Sequence, residues 1–259
     1  MQPYAEDHSI SSVNSSLNSA QEVAPFIIDL IQPKRVIDVG CGLGAWLSVF
    51  KEHGVEDILG IDGDYVDVNK LKISQKSFLA HDLTKPLTIE ATFDLVVSLE
   101  VAEHLPAQNA ESFVDGLVNL GPVILFSAAL PYQPGEHHYN CQWPNYWANL
   151  FYEKGYVLFD CLRIKFWQNK NVDWWYSQNM LLFVRQSSLS NYPKLKNNFY
   201  FTTSEPVSLV HPELYQLQQT TYQNLEASNL SIKSVLKRKI KYTLNSLQKK
   251  NRESNLSFD

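Results

Sequence analysis

The chain has 259 residues, 44% of them apolar and 12% aromatic, which allows one sizeable α/β domain with a real core and an appendage. Its net charge of −5 is uneven, because residues 232–252 hold eight Lys or Arg and no acid, leaving −13 on the remainder. So acidic a body speaks against a nucleic-acid substrate, which needs a basic groove.

In chain order, residues 1–19 are rich in Ser and Asn and read as a mobile N-terminal segment. Ser19-Ala-Gln-Glu22 has the spacing of a helix capping box, and Val23, Phe26, Ile27, Leu30 and Ile31 recur at helical intervals after it. Pro25 kinks that helix or marks its true start, and Pro33 ends it. Strands are predicted at 35–39, 58–61, 77–80, 93–98 and 123–129. Helices are predicted after the first strand, over 45–53 with Gly54 at the end, around 66–72 as a short polar turn of helix, and over 107–120. The strand at 123–129 is almost continuously apolar, as one buried on both faces should be. Pro144 starts a further helix that runs through 146–154 to Gly155. Two apolar strands, 157–167 and 179–185, follow, joined by an aromatic loop with Trp174, Trp175 and Tyr176. Residues 187–212, polar and with three prolines, read as a linker or an arm laid on the body. Residues 213–259 read as a basic helical extension in two helices, the first up to 227 and the second over 231–250.

The chain is organised around Val36-Ile-Asp-Val-Gly-Cys-Gly-Leu-Gly44, a β-branched run that enters a turn with glycines at alternate positions. Such a turn lets a ligand approach closely, with chain amides and a helix N-terminus pointing at it. A tight turn with no ligand is the plainer alternative. Against it stand Asp62, which ends the second strand about 20 residues on, where a ribose-binding carboxylate belongs; Asp82, after the third strand; and Leu99-Glu-Val-Ala-Glu-His104, after the fourth.

As a set these features resemble the class I S-adenosylmethionine-dependent methyltransferases, over residues 20–186. The turn lacks the Gly-x-Gly-x-x-Gly of nicotinamide-binding folds, and no phosphate-binding Gly-x-x-x-x-Gly-Lys loop occurs. The resemblance implies a Rossmann-like α/β fold: a seven-stranded, mostly parallel sheet with helices on both faces, finished by an antiparallel hairpin, here with the C-terminal helical appendage. It implies S-adenosyl-L-methionine as cofactor and a leading helix that closes over it. Gly40, Gly42 and Gly44 approach the cofactor with backbone, Asp62 holds the ribose hydroxyls, Asp82 with Leu83 meets the adenine, Asp38 organises the turn or meets the methionine end, and Glu100 lies close by.

The acceptor side is read from two stretches. The place after strand four lacks the Asn/Asp-Pro-Pro-Tyr/Phe of enzymes that methylate nucleobase amines and resembles small-molecule methyltransferases. The segment 136–147, with His138, Asn140, Gln142, Trp143, Tyr146 and Trp147, resembles a subgroup tied to bacterial glycan synthesis. The reading is O-methylation of a sugar or glycan intermediate, with His138, or else His137, as general base. Asn140 and Gln142 then bind substrate hydroxyls, and Trp143, Tyr146 and Trp147 stack on a sugar or wall the pocket. The plainer alternative is a packed lid. Trp174, Trp175, Tyr176, Gln178 and Asn179 are second candidates for the same pocket. Other readings stay open: a different small metabolite as acceptor, with a divalent metal on Glu100, Glu103, His104 and His138, or a cofactor-binding partner protein without turnover.

Cys41, Cys141 and Cys161 show no Cys-x-x-Cys spacing, so neither a disulfide framework nor a zinc site is expected, and a reducing, cytoplasmic setting fits. The first residues lack the charge and apolar pattern of a signal peptide, and no apolar run is long enough to span a bilayer. The basic stretch near the C-terminus is amphipathic and suits an anionic membrane surface, such as the inner face of the cell membrane, or a partner protein. The oligomeric state is left open.

Overall fold

The computed structural model describes residues 10–199 and 206–255. The expectation of a mobile segment lies outside the described residues for 1–9, whereas 10–19 are helical.

Helix α1 (Ile10–Ile31) leads into strand β1 (Arg35–Val39), helix α2 (Ala45–Glu52) and strand β2 (Asp57–Asp62). Then come β3 (Phe78–Ala80), β4 (Leu95–Leu99), α3 (Ala110–Leu120) and β5 (Val123–Ser127). The chain continues through α4 (Pro144–Glu153), β6 (Tyr156–Phe159), α5 (Leu162–Phe166), α6 (Trp174–Asn179), β7 (Leu181–Arg185) and α7 (Pro193–Asn198). The seven strands form one sheet in the order β3-β2-β1-β4-β5-β7-β6. Its first five members are parallel, and β7 lies antiparallel between β5 and β6.

Both faces of the sheet are covered, which is why the middle strands are mostly apolar, with polar residues such as Asp62 and Ser127 at their ends. Val36, Val123 and Leu125 face one core, shared with Ile27, Leu47, Phe50 and Leu195 of the helices on that side. Ile37, Ile124 and Phe126 face the other core, with Phe113, Leu117 and Phe151. Strand order reverses between β1 and β4, and in open α/β sheets the crevice beyond the carboxyl ends of such strands holds the ligand. The glycine turn after β1 and the Glu100 segment after β4 meet there.

Four local expectations change. The Ser-x-x-Glu spacing does not start α1, which begins nine residues earlier at Ile10. Ser19 instead accepts from the Asp173 amide (3.0 Å) and Glu22 accepts from the side chains of Asn169 and Asn171 (2.9 Å each), so both dock the helix on the loop before α6. The apolar run predicted as a strand over 157–167 is a strand only to Phe159; the rest turns into α5, and the aromatic loop is α6. The polar turn of helix at 66–72 is a pair of 3-10 turns, Val68–Lys70 and Gln75–Ser77. Residues 186–198 carry a 3-10 turn and α7, with Tyr192 and Leu195 buried.

The chain divides into two compact units, 1–211 and 212–259. The second holds α8 (Pro212–Asn255), one continuous helix where two were expected. No Gly or Pro interrupts it after Pro212, and the hydroxyls of Thr220, Thr221 and Ser228 bond to carbonyls of their own helix (2.9, 2.9 and 2.8 Å), so its polar middle stays helical. Among the described residues no helix is long and apolar enough to cross a membrane.

Candidate active site

After Val39 the chain turns through Gly40, Gly42 and Gly44, with φ of 87°, 53° and 78°. A Cβ on Gly40 would lie 2.3 Å from the Val101 side chain, so the two strand ends can come this close only at a glycine. The amides of Gly40 and Cys41 both donate to the Ile61 carbonyl (2.7 and 3.0 Å), and that of Gly44 to the Cys41 carbonyl (2.8 Å). The Gly42 amide donates to Asp62 Oδ2 (2.7 Å). These four amides are used inside the turn. The expected anchoring by chain amides therefore narrows to the first turn of α2, and the glycines contribute close approach.

A cavity of about 760 Å³ opens over the turn, of the size that holds a nucleoside-like ligand. Asp38, Gly40, Gly42, Asp62, Asp82, Leu83 and Glu100 all line it. Gly44 does not; its Cα face packs on Ile73. Val13 and Ser16 of α1 and Tyr176 of α6 also line the cavity, so the leading helix covers part of it.

Asp62 is 4% exposed and acts as the hub of the glycine end. Its Oδ2 accepts from Gly42, and its Oδ1 accepts from the Gly63 amide (2.7 Å) and from the Tyr65 hydroxyl. A carboxylate has about four lone-pair sites, so a diol at Asp62 must share it with Tyr65. Tyr65→Phe should therefore tighten cofactor binding about fivefold, the worth of one hydrogen bond given up; calorimetry reads it, and weaker binding would mean that Tyr65 supports the ligand instead. Asp38 is buried beside Asp62, and burial, then the Asp62 charge, push its carboxyl well above the ordinary range. A cationic ligand fits a site with two such acids.

The β4 end carries the second group. Glu100 has φ 54°, and its amide donates to the Ser127 carbonyl (3.1 Å) and hydroxyl (3.0 Å). Its carboxylate accepts from Gln133 Nε2 (2.8 Å) and Asn179 Nδ2 (3.1 Å). Glu103 is fully buried, and its carboxyl faces that of Glu100 and the backbone at Ala129. Burial, then the charge of Glu100, push the Glu103 carboxyl well above its ordinary value. His104 lines the cavity, and the ring of His138 packs edge-on against it with centroids 4.9 Å apart. Glu103, His104 and His138 each offer a ligand atom, and those atoms lie within 4.8 Å of one another.

The loop after β5 is tied to this group through main chain. The amides of Tyr139 and Asn140 donate to the Glu103 carbonyl (2.8 and 2.9 Å), and His138 Nδ1 lies 3.2 Å from the Gln133 carbonyl. His138 itself is not among the cavity-lining residues; it stands behind His104. His137 pairs with the Tyr139 hydroxyl (3.1 Å), farther out on the loop. Asn140 is buried, with its Oδ1 taken by Gln142 (3.0 Å). Trp143 is exposed and Tyr146 half-buried against Trp147.

Trp147 departs from the expectation of a pocket wall. It is 2% exposed and packs on Phe126 with ring centroids 5.3 Å apart, because the α4 face that carries it is the apolar face turned to the sheet. Its Nε1 is buried without a partner, so Trp147→Phe removes volume but no hydrogen bond. We expect a loss of about 1–2 kcal/mol in denaturant unfolding and unchanged cofactor affinity. Of the second candidates, Tyr176 lines the cavity, whereas Gln178 and Asn179 lie behind Glu100 and neither Trp174 nor Trp175 lines it. Tyr65 and Gln133 went unnoticed in the sequence. The only signal was position: Tyr65 lies three residues past the strand-ending acid, and Gln133 in the loop six residues past the end of the buried strand β5.

Residues 18–120 match the family model described as "Methyltransferase domain". No curated protein matches the chain. Among solved structures, the methyltransferase domain of bacterial CtHen1-C is 19% identical over 65% of this chain and 98% of that one, with a TM-score of 0.50. The magnesium protoporphyrin IX methyltransferase of Synechocystis PCC 6803 with bound SAH is 17% identical over 66% of this chain and 84% of that one, with a TM-score of 0.46. The first likeness is one of fold.

Proposed function

We propose that this chain, which carries an S-adenosylmethionine-dependent methyltransferase domain, methylates a hydroxyl of a sugar or glycan intermediate. The residues present fit the cofactor: Gly40 and Gly42 line the cavity without side chains, and Asp38 and Asp62 face a space of the right size. When bound, S-adenosylmethionine supplies a methyl group already activated on a sulfonium. The chain must hold it, exclude water and orient the acceptor, and orientation alone lowers a barrier by up to about 7–11 kcal/mol. We assign Asp62 to the ribose hydroxyls, Asp82 and Leu83 to the adenine end, and Asp38 and Glu100 to the methionine end.

The single observation that carries a hydroxyl acceptor is the imidazole pair. An alcohol must lose its proton as its oxygen takes the methyl group, and His104 at the cavity wall with His138 behind it offers a place for that proton. The Gln133 carbonyl beside Nδ1 of His138 and Gly135 beside its Nε2 hold that ring behind His104, so His138 acts on the acceptor through the His104 imidazole at the cavity wall. A sugar as acceptor is supported by the aromatic loop beside this pair, where Tyr132, Tyr139 and Trp143 are exposed. The test is turnover on a nucleotide-sugar and oligosaccharide panel with isotopically labelled cofactor. His138→Ala should lose about 10²-fold or more in methyl transfer and keep its affinity for the cofactor. A full rate would remove His138 from the reaction.

One observation favours a second reading. Glu103, His104 and His138 bring a buried carboxyl and two imidazoles within 4.8 Å of one another. A divalent cation would be held by these three, with Glu100 near; carboxylates with imidazoles suit Mn²⁺. Under this reading Mn²⁺ raises the melting temperature in proportion to the logarithm of its concentration, and a chelator stops turnover. Under the first reading neither happens. Finally, we assign the basic stretch 232–252 to contact with an anionic membrane surface. Sedimentation of the full chain with phosphatidylglycerol vesicles, but not phosphatidylcholine vesicles, is the expected result.

A further inference from the structure

Behind the cavity lies a row of buried side-chain amides that neither reading above uses. Gln178 is 0% exposed, Asn179 4% and Gln133 8%. Gln178 Oε1 accepts from the main-chain amide of His211 (2.7 Å). Its Nε2 donates to Gln133 Oε1 (3.2 Å) and to Asn179 Oδ1 (2.9 Å). Gln133 Nε2 and Asn179 Nδ2 in turn donate to the carboxylate of Glu100. These bonds run from the His211 amide inward to Glu100, with a cross-link from Asn179 Nδ2 to Gln133 Oε1 (2.9 Å), which also accepts from the Leu130 amide (3.3 Å). Each amide is fixed in orientation by the one before it, since reversing any of them would set donor against donor.

The outer end of the row is itself held firmly. The Val207 carbonyl accepts from Nη2 of Arg163 (2.8 Å), an arginine with no exposure at all. The His211 ring packs on Trp167 (centroids 4.9 Å apart) and stacks with Trp174 (6.4 Å), and its Nε2 lies 3.2 Å from the Trp167 carbonyl. Segment 206–211 is thus pinned at a carbonyl, an amide and a ring. Glu100 needs outside support, because it is a non-glycine residue with φ 54° whose carboxylate sits in a largely buried place.

We propose that segment 206–211 is a positioning strap for the active site: its His211 main-chain amide orders Gln178, and through Gln133 and Asn179 sets the orientation of the Glu100 carboxylate at the cavity. The inference deepens the reading above, since what Glu100 does for the cofactor rests on that reading. Gln133, Gln178 and Asn179 are positioning residues, because only Glu100 lines the cavity.

The test uses the full chain in five forms: wild type, Gln178→Met, His211→Ala, Glu100→Gln and the double variant Gln178→Met with Glu100→Gln. Gln178→Met keeps the volume and removes the relay. His211→Ala removes the ring but keeps the main-chain amide. Hydrogen exchange over residues 99–104 should quicken about tenfold in Gln178→Met and by a smaller factor in His211→Ala, which takes away one of the three pins of the strap; unchanged exchange in His211→Ala would also overturn it. Equal exchange in Gln178→Met and wild type would overturn the strap, whatever the cofactor does. Calorimetry with S-adenosylmethionine should show about tenfold weaker binding for Gln178→Met and for Glu100→Gln, and no further loss when the two are combined, as expected of residues acting through one group. Additive losses would mean general loosening and would also overturn it. An unchanged affinity in Glu100→Gln alone would instead remove Glu100 from the cofactor site and leave the exchange result to decide the strap.

Discussion

Asp62→Ala should weaken S-adenosylmethionine binding by about 100-fold or more and lower the melting temperature as well. Two hydroxyl bonds to a charged acceptor contribute about 1.5–3 kcal/mol each, and 3 kcal/mol is already about two decades in Kd. The structural loss has a separate cause. Asp62 closes the glycine turn by accepting from the amides of Gly42 and Gly63, and the alanine leaves both donors without their acceptor in a buried place. Each orphaned donor costs about 1–3 kcal/mol. Asp62→Asn is no rescue, since its amide nitrogen must face one of the two backbone N–H groups. Calorimetry and thermal unfolding on the same sample check both effects. Binding within threefold of wild type would detach Asp62 from the ligand and the cofactor assignment with it.

The contrast between Asp62 and Trp147 shows how far a sequence carries such a site. The glycine turn and the acid ending β2 are local signals whose meaning follows from the strand they terminate, so Gly40, Gly42 and Asp62 fall on the cavity as expected. The sheet architecture is what the family resemblance implies rather than what any spacing shows, and the family match covers β1 to β4 of it. Trp147 and Tyr146 are neighbours on one helix, and only the docking of that helix decides which of them enters the core. The same holds for the His pair. His104 and His138 are 34 residues apart, and their contact is made by the Tyr139 and Asn140 amides bonding to the Glu103 carbonyl, which no spacing rule reveals. The run 157–167 misled because a short, mostly apolar stretch has no period that separates a buried strand from a buried helix; Cys161, Leu162 and Phe166 join the same core as Val157 and Phe159, whereas Arg163 and Lys165 fall between them.

Glu103→Gln should make the protein more stable and less active at once. A carboxyl whose pKa is raised by folding binds its proton more tightly in the folded chain than in the unfolded one. Its ionisation therefore removes stability as pH rises from about 4.3, the unfolded value, up to the raised folded value, and the deficit persists above it. Glu103 has this character, raised by burial and by Glu100. Glutamine fills the same space and has no charge to lose. Wild type and variant should melt together near pH 4, and the variant should gain with rising pH, about 1 kcal/mol or 2–4 °C at pH 8 for a domain of this size. Methyl transfer should fall about 10–100-fold, because the pair His104–His138 loses the acid beside it that can give up its proton to an imidazole or to an entering metal ion. A residue that costs stability and is indispensable to turnover is what an active-site acid looks like in these terms. The opposite outcome, a variant that melts lower at pH 8 with turnover intact, would make Glu103 a structural group and move the chemistry away from this end of the cavity.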